Sequence, residues 1–133
     1  MKVKRFGVSL DEEILKKLDE MVLTSKFPNR SQAIRHLIKG SLVQEKINQN
    51  KTVAGALVIV YDHHKKDISN TLTHLQHDFH NLILSNQHVH LSHDLCLETI
   101  AIKGKAQQLI SLSDAIIGLK GIKHGKLVMT DIE

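Results

Sequence analysis

The sequence predicts an α+β chain in two modules, a β-α-α segment over residues 1–50 and a β-α-β-β-α-β segment over residues 51–133. Two patterns lead there. Short runs alternate apolar and polar residues, and longer runs repeat apolar residues at helical spacing. The charge also changes character at Asn50: residues 1–50 hold ten Lys/Arg against six Asp/Glu, whereas residues 51–133 hold eight of each. Histidine runs the other way, with His36 in the first part and nine in the second, eight of them between His63 and His93. A small basic module suited to a polyanion is thus followed by a neutral one rich in imidazole.

At 133 residues, 41% hydrophobic and 24% charged, the composition is that of an ordinary globular chain. The single cysteine, Cys96, excludes a disulfide-stapled fold. Val53 to Tyr61, the longest strongly apolar run, is roughly half of what a membrane helix needs. The N-terminal Met-Lys-Val-Lys-Arg-Phe has no apolar stretch behind its charges, so no signal peptide and no membrane partner are expected, and the default location is cytoplasmic.

In the first module, Phe6, Val8 and Leu10 share one face of a short strand and Arg5, Gly7 and Ser9 the other. Asp11 is a candidate N-cap, followed by Glu12 and Glu13 in the first helical turn. Ile14, Leu15, Leu18, Met21 and Val22 then form an apolar stripe. Lys26-Phe27-Pro28 breaks that helix. Asn29 with Gln32 opens a second, whose stripe is Ala33, Ile34, Leu37, Ile38 and Leu42. Gln44 to Lys51 reads as a helix end running into a linker.

A lone strand needs a partner, and the nearest source is its copy in a second chain. The resulting two-stranded ribbon presents Arg5, Gly7 and Ser9 from each chain on one face, a shape that fits the DNA major groove. The second helix opens at Asn29-Arg30-Ser31, whose backbone N–H groups suit a phosphate. Over about residues 3–47 the segment resembles the ribbon-helix-helix family of DNA-binding proteins.

In the second module, Val53 to Tyr61 reads as a buried strand. Helical spacing runs from His64 to about His80, with Ile68, Leu72, Leu75 and Phe79 on one stripe. Strands over Leu82–Leu91 and Leu95–Lys103 are joined by Ser92-His93-Asp94. A helix follows Gly104 and stops near Gly118, and a last strand runs from Ile122 to Met129. This order is that of a ferredoxin-like split unit, with both helices on one side of an antiparallel sheet and the other side bare unless another subunit covers it.

His88 and His90 are two apart and share a strand face. A hairpin that pairs His90 with Cys96 sets Glu98 opposite His88. Val89, Leu91, Leu95 and Leu97 then take the other, apolar face, which is expected to pack on the helices and leave the His/Cys set on the bare side. Two imidazoles and a thiol make three parts of a soft metal site. His77 lies opposite the apolar stripe of its helix, so it is expected to reach a site on a neighbouring subunit and supply the fourth ligand. His63, His64, His74 and His80 are read as solvated. Zinc, nickel and copper all remain open on spacing alone.

Gln76-His77, His88-Val89-His90, His93 to Glu98 and Gly121 to Gly125, taken with the first module, resemble the nickel-responsive transcriptional regulators (NikR) over nearly the whole chain. The resemblance implies a homotetramer, a dimer of dimers, with a central block of ACT-like domains and a ribbon-helix-helix dimer at each end. It implies one square-planar Ni2+ per subunit on His88, His90, Cys96 and His77 of an adjacent subunit, with Gln76 and Glu98 supporting the metal shell. Arg5, Gly7 and Ser9 match positions that face DNA bases, while Lys65 and Lys66 match a basic stretch on the DNA backbone. Gln32 and His36 stand where relatives can carry acidic residues that help bind a second cation, which puts that site in doubt. The implied output is repression of nickel uptake through operator DNA. Rival readings are a small metallohydrolase, a sensor of copper, cobalt or zinc, and an ACT-like domain that senses an amino acid.

Overall fold

The structure is a computed structural model and describes residues 2–133. It divides into two compact units, one ending at Leu42 and the other spanning Val43–Glu133.

The first unit contains α1 (Glu12–Thr24) and most of α2 (Arg30–Asn48). Asp11 caps α1 as expected, its Oδ1 accepting from Ile14 N at 2.9 Å, and Glu12 and Glu13 follow in the first turn. Asn29 Oδ1 accepts from Gln32 N at 3.0 Å and starts α2. Arg30 forks onto Asp19 of α1, with Nε–Oδ1 2.8 Å and Nη2–Oδ2 2.9 Å. The expected strand over Arg5–Leu10 is absent: residues 2–10 form no regular element and are exposed. The reason is physical, because a ribbon strand takes its hydrogen bonds from a second strand and this unit holds none. Ala33 is the one buried residue on the two helices here, and Ile14, Leu37, Ile38 and Leu42 are exposed.

The second unit carries β1 (Thr52–Asp62), α3 (Ile68–Asp78), β2 (Ile83–His90), β3 (Leu95–Lys105), α4 (Ala106–Ile117) and β4 (Ile122–Thr130). The strands form one antiparallel sheet in the order β2-β3-β1-β4, as the split unit requires. Ile68 and Leu72 of α3 and Leu109, Leu112 and Ile116 of α4 pack with Leu57, Ile59, Ile100 and Ile102 of the sheet. α3 begins at Ile68 and not near His64, since Asp67 adopts a left-handed conformation (φ +66°) and residues 63–67 are turn. Lys65 and Lys66 therefore sit on an exposed loop.

Gln44 to Asn48 is the helix end that the sequence suggests, but no linker follows it before β1 begins at Thr52. α2 runs on to Asn48, and Ile47 packs against the core of the second unit. Lys46 Nζ lies 2.6 Å from Asp131 Oδ1 and 3.1 Å from Glu133 Oε2. Asn50 Oδ1 accepts from Gln107 N, and Lys51 O from Ala106 N, which ties this stretch to the start of α4.

Hydrogen bonding from Lys46 holds the Asp131 carboxyl below its ordinary range. Its contribution to stability is therefore full above the unfolded carboxyl value and fades as pH falls through the lower folded value. Asp131→Asn should cost stability near neutrality, and in thermal melts the deficit should close as pH falls through the lowered carboxyl value. Ile100→Ala should cost about 2–5 kcal/mol in urea unfolding.

Candidate metal centre

The β2–β3 hairpin sets the donor positions. Its register pairs His90 with Cys96 and His88 with Glu98, so all four side chains rise from one face. That face is the helix-covered one, contrary to the sequence expectation. Cys96, Glu98, Ile100 and Ile102 alternate along β3 as buried residues, and the two isoleucines pack with α3 and α4. Val89 and Leu91, expected under the helices, are instead 39% and 54% exposed. Ile100 and Ile102 decide the matter, since their apolar area sends the whole alternating set inward.

Cys96 is fully buried, and burial pushes its thiol up from the ordinary value, with Asp62 and Glu98 adding to the rise. His63, read from the sequence as solvated, lies against it: Nδ1 is 3.0 Å from Cys96 Sγ, and His90 Nδ1 is 3.6 Å from the same sulfur. The ligand atoms of His63, His90 and Cys96 all fall within 4.8 Å of one another. Desolvation, followed by the neighbouring His64 and His90, pulls the His63 imidazole down from its ordinary value. Both shifts favour neutral groups, and a neutral imidazole is a ready ligand.

His88 stands beside this set. Its ring stacks on Tyr61 at 6.0 Å and lies 5.3 Å from the His90 ring. Behind it runs a polar network, buried at Tyr61 and Glu98 and exposed at Asn86. The Tyr61 hydroxyl donates to Glu98 Oε1 (3.1 Å) and the Gln76 amide donates to Glu98 Oε2. Asn86 Nδ2 donates to Gln76 Oε1 (2.9 Å). Desolvation and then Glu98 drive the Tyr61 phenol far above its ordinary value, which keeps it a donor. Gln76 of α3 thus joins Glu98 of β3 to Asn86 of β2.

His77 is exposed on α3, with its ring 6.0 Å from that of His80, and the chain does not bring it to Cys96. A second group, His64, His93 and Asp94, is wholly exposed at the junction of the β1–α3 loop and the hairpin turn. His63 could not be found from local spacing, because its contact is made across the sheet from the end of β1. A signal existed: Tyr61 pairs with Cys96 in β1–β3, and His63 follows two residues later.

The donor chemistry fits a soft or borderline divalent ion: a buried thiol with imidazoles converging on it and a carboxyl-centred network behind. Residues 54–130 match the family described as NikR C terminal nickel binding domain. The chain belongs to the NikR family. Residues 4–45 match the ribbon-helix-helix protein, copG family. A "Putative nickel-responsive regulator" of Desulfovibrio desulfuricans is 48% identical over 95% of this chain and 91% of its own length. One of the same description from Thermococcus kodakarensis is 44% identical over 98% of this chain and 95% of its own. An uncharacterized protein from Thermotoga maritima shares the fold over 59% of this NikR chain and 98% of its own, with TM-score 0.54 at 18% identity. No helix among the described residues is long and apolar enough to cross a membrane.

Tyr61→Phe removes one of the donors on a buried carboxyl oxygen. It should lower stability by about 1–3 kcal/mol in urea unfolding, whereas an unchanged midpoint would mean that water already serves Glu98.

Proposed function

We propose that this NikR chain is a nickel-dependent DNA-binding repressor of nickel uptake, a regulator and not an enzyme. One Ni2+ per subunit would be held by His88, His90 and Cys96 together with His77 of the partner subunit in a homotetramer. One observation carries the reading: His90 faces Cys96 and His88 faces Glu98 on a single strand pair, within the segment that matches the nickel-binding domain family.

Other features support it. His77 is exposed and displaced from Cys96 in its own chain, as a ligand donated to a neighbour would be. The exposed Ile14, Leu37, Ile38 and Leu42 of α1 and α2 and the unpaired segment over residues 2–10 favour completion of the DNA-binding unit by a second copy. Its ribbon would then offer Arg5, Gly7 and Ser9 to base edges, while the α2 N-terminus at Asn29, Arg30 and Ser31 and the loop residues Lys65 and Lys66 would meet phosphates. Arg30 is already forked onto Asp19, so its share of that contact would come from its backbone N–H.

Bound nickel supplies a link between subunits. The chain's own part is to hold His90 and Cys96 opposite each other, to place His88 against Tyr61, and to present His77 outward. Coupling of about 1–3 kcal/mol would change operator affinity roughly five- to 150-fold, with DNA tightening metal equally.

Gel shifts on candidate operator DNA at fixed salt, across a series of nickel, copper, cobalt and zinc, test this. Nickel should tighten binding, and His77→Ala and His88→Ala should each remove the nickel response and the nickel–thiolate visible band. A response to zinc or copper alone would overturn the choice of metal. Arg5→Ala should cost about 1–3 kcal/mol on operator and little on random DNA. Equal loss on both would make Arg5 a phosphate contact.

A further inference from the structure

The proposed nickel site takes His88, His90 and Cys96, yet a single chain brings His63, His90 and Cys96 together. The His90 separation from Cys96 Sγ is that of a tetrahedral coordination sphere, and the His63 ring stands closer still, at hydrogen-bond distance, so a small outward shift of that ring would admit an ion. Zinc with ligand bonds of about 2.0–2.3 Å in a tetrahedron sets sulfur and nitrogen roughly 3.6 Å apart. The observed Sγ–Nδ1 distances are 3.0 Å for His63 and 3.6 Å for His90. His63 lies in the turn just after β1, His90 ends β2 and Cys96 is near the start of β3. His63 is held in place by its backbone N–H, which donates to Asp94 O at 3.2 Å in the hairpin turn. Its ring also meets the His90 ring edge-on, with centroids 5.0 Å apart.

We propose that His63, His90 and Cys96 form an in-chain site for a tetrahedral divalent cation such as zinc, which shares two ligands with the intersubunit nickel site and excludes it. His63 is then a specificity-determining residue. An ion that favours tetrahedral geometry finds three ligands and an open fourth position within one chain. It has no need of His77 from the partner subunit. An ion that favours a planar set must give up His63 for His88 and recruit the neighbour. Both arrangements consume the same sulfur and the same His90 imidazole, so one chain holds one or the other. The inference rests on the intersubunit reading for its consequence, but the in-chain site stands on its own distances.

The test uses the full-length protein, metal-free, with Zn2+ titrated by competition against a chromophoric chelator and Co2+ as the spectroscopic probe. Wild type and His77→Ala should bind zinc equally and give the same strong tetrahedral cobalt–thiolate bands. His63→Gln should weaken zinc by at least the roughly tenfold typical of a disturbed metal shell and lose the tetrahedral cobalt spectrum. It should keep the nickel–thiolate band and the metal-free far-UV circular dichroism of the wild type; His63→Asn replaces it if that fold signature is lost. Zinc affinity and cobalt bands unchanged without His63, or zinc binding lost in His77→Ala, would overturn the proposal. A nickel band that survives both His77→Ala and His88→Ala would instead sink the intersubunit reading, and the zinc result would stand.

Discussion

The register of the β2–β3 hairpin is the constraint from which the metal chemistry follows. A strand's side chains alternate, so a slip of one residue would move every donor to the opposite face. Ile100 and Ile102 prevent that slip, because both are fully buried against the helices and neither could be turned outward without losing its apolar contacts. Cys96 and Glu98 continue the same alternation towards the hairpin end. Across the ladder, His90 and His88 are then set opposite them. Core packing at one end of β3 thus places the candidate donors at the other, where His90 is exposed.

The two units solve the problem of stability differently. The second has a continuous apolar core from β1 through α4 and can order its donors within one chain. The first has a single buried side chain on its helices and a segment over residues 2–10 with no strand partner. So small a core cannot offset the chain entropy of ordering those residues. The proposed completion by another copy would supply the missing core and bring two sets of Arg5, Gly7 and Ser9 onto one ribbon face.

Much of this was legible in the sequence. The order β-α-β-β-α-β, the Asp11 and Asn29 caps and the pairing of His90 with Cys96 all follow from local rules: alternation, capping chemistry and hairpin length. What failed was non-local. The sheet face that Leu95 and Leu97 suggest locally is overruled by Ile100 and Ile102, four to six residues beyond Cys96, whose burial sets the face of the whole strand. α3 begins late because Asp67 takes a positive φ, a conformation that aspartate tolerates and that spacing does not reveal. His63 escaped notice because its contact depends on two strand registers and a loop bond together. The strand over Arg5–Leu10 could not form in one chain at all.

Which residues complete the coordination sphere decides whether metal can act as a signal. An ion held wholly within one polypeptide has nearly the same affinity for every arrangement of subunits, and a ligand without differential affinity shifts no equilibrium however tightly it binds. An ion that needs a donor from a neighbour binds better to the arrangement that supplies it, and by linkage it favours that arrangement. Cys96 and His90 stand at the junction of the two cases, with His63 on one side and His88 on the other. If both proposed sites hold, the same pair of residues would yield either silent sequestration or a message to the DNA-binding unit. Coordination geometry, and not affinity alone, selects between them. That matters because the ordinary affinity order would place copper above nickel in such a donor set, so discrimination has to come from what each geometry does to the assembly.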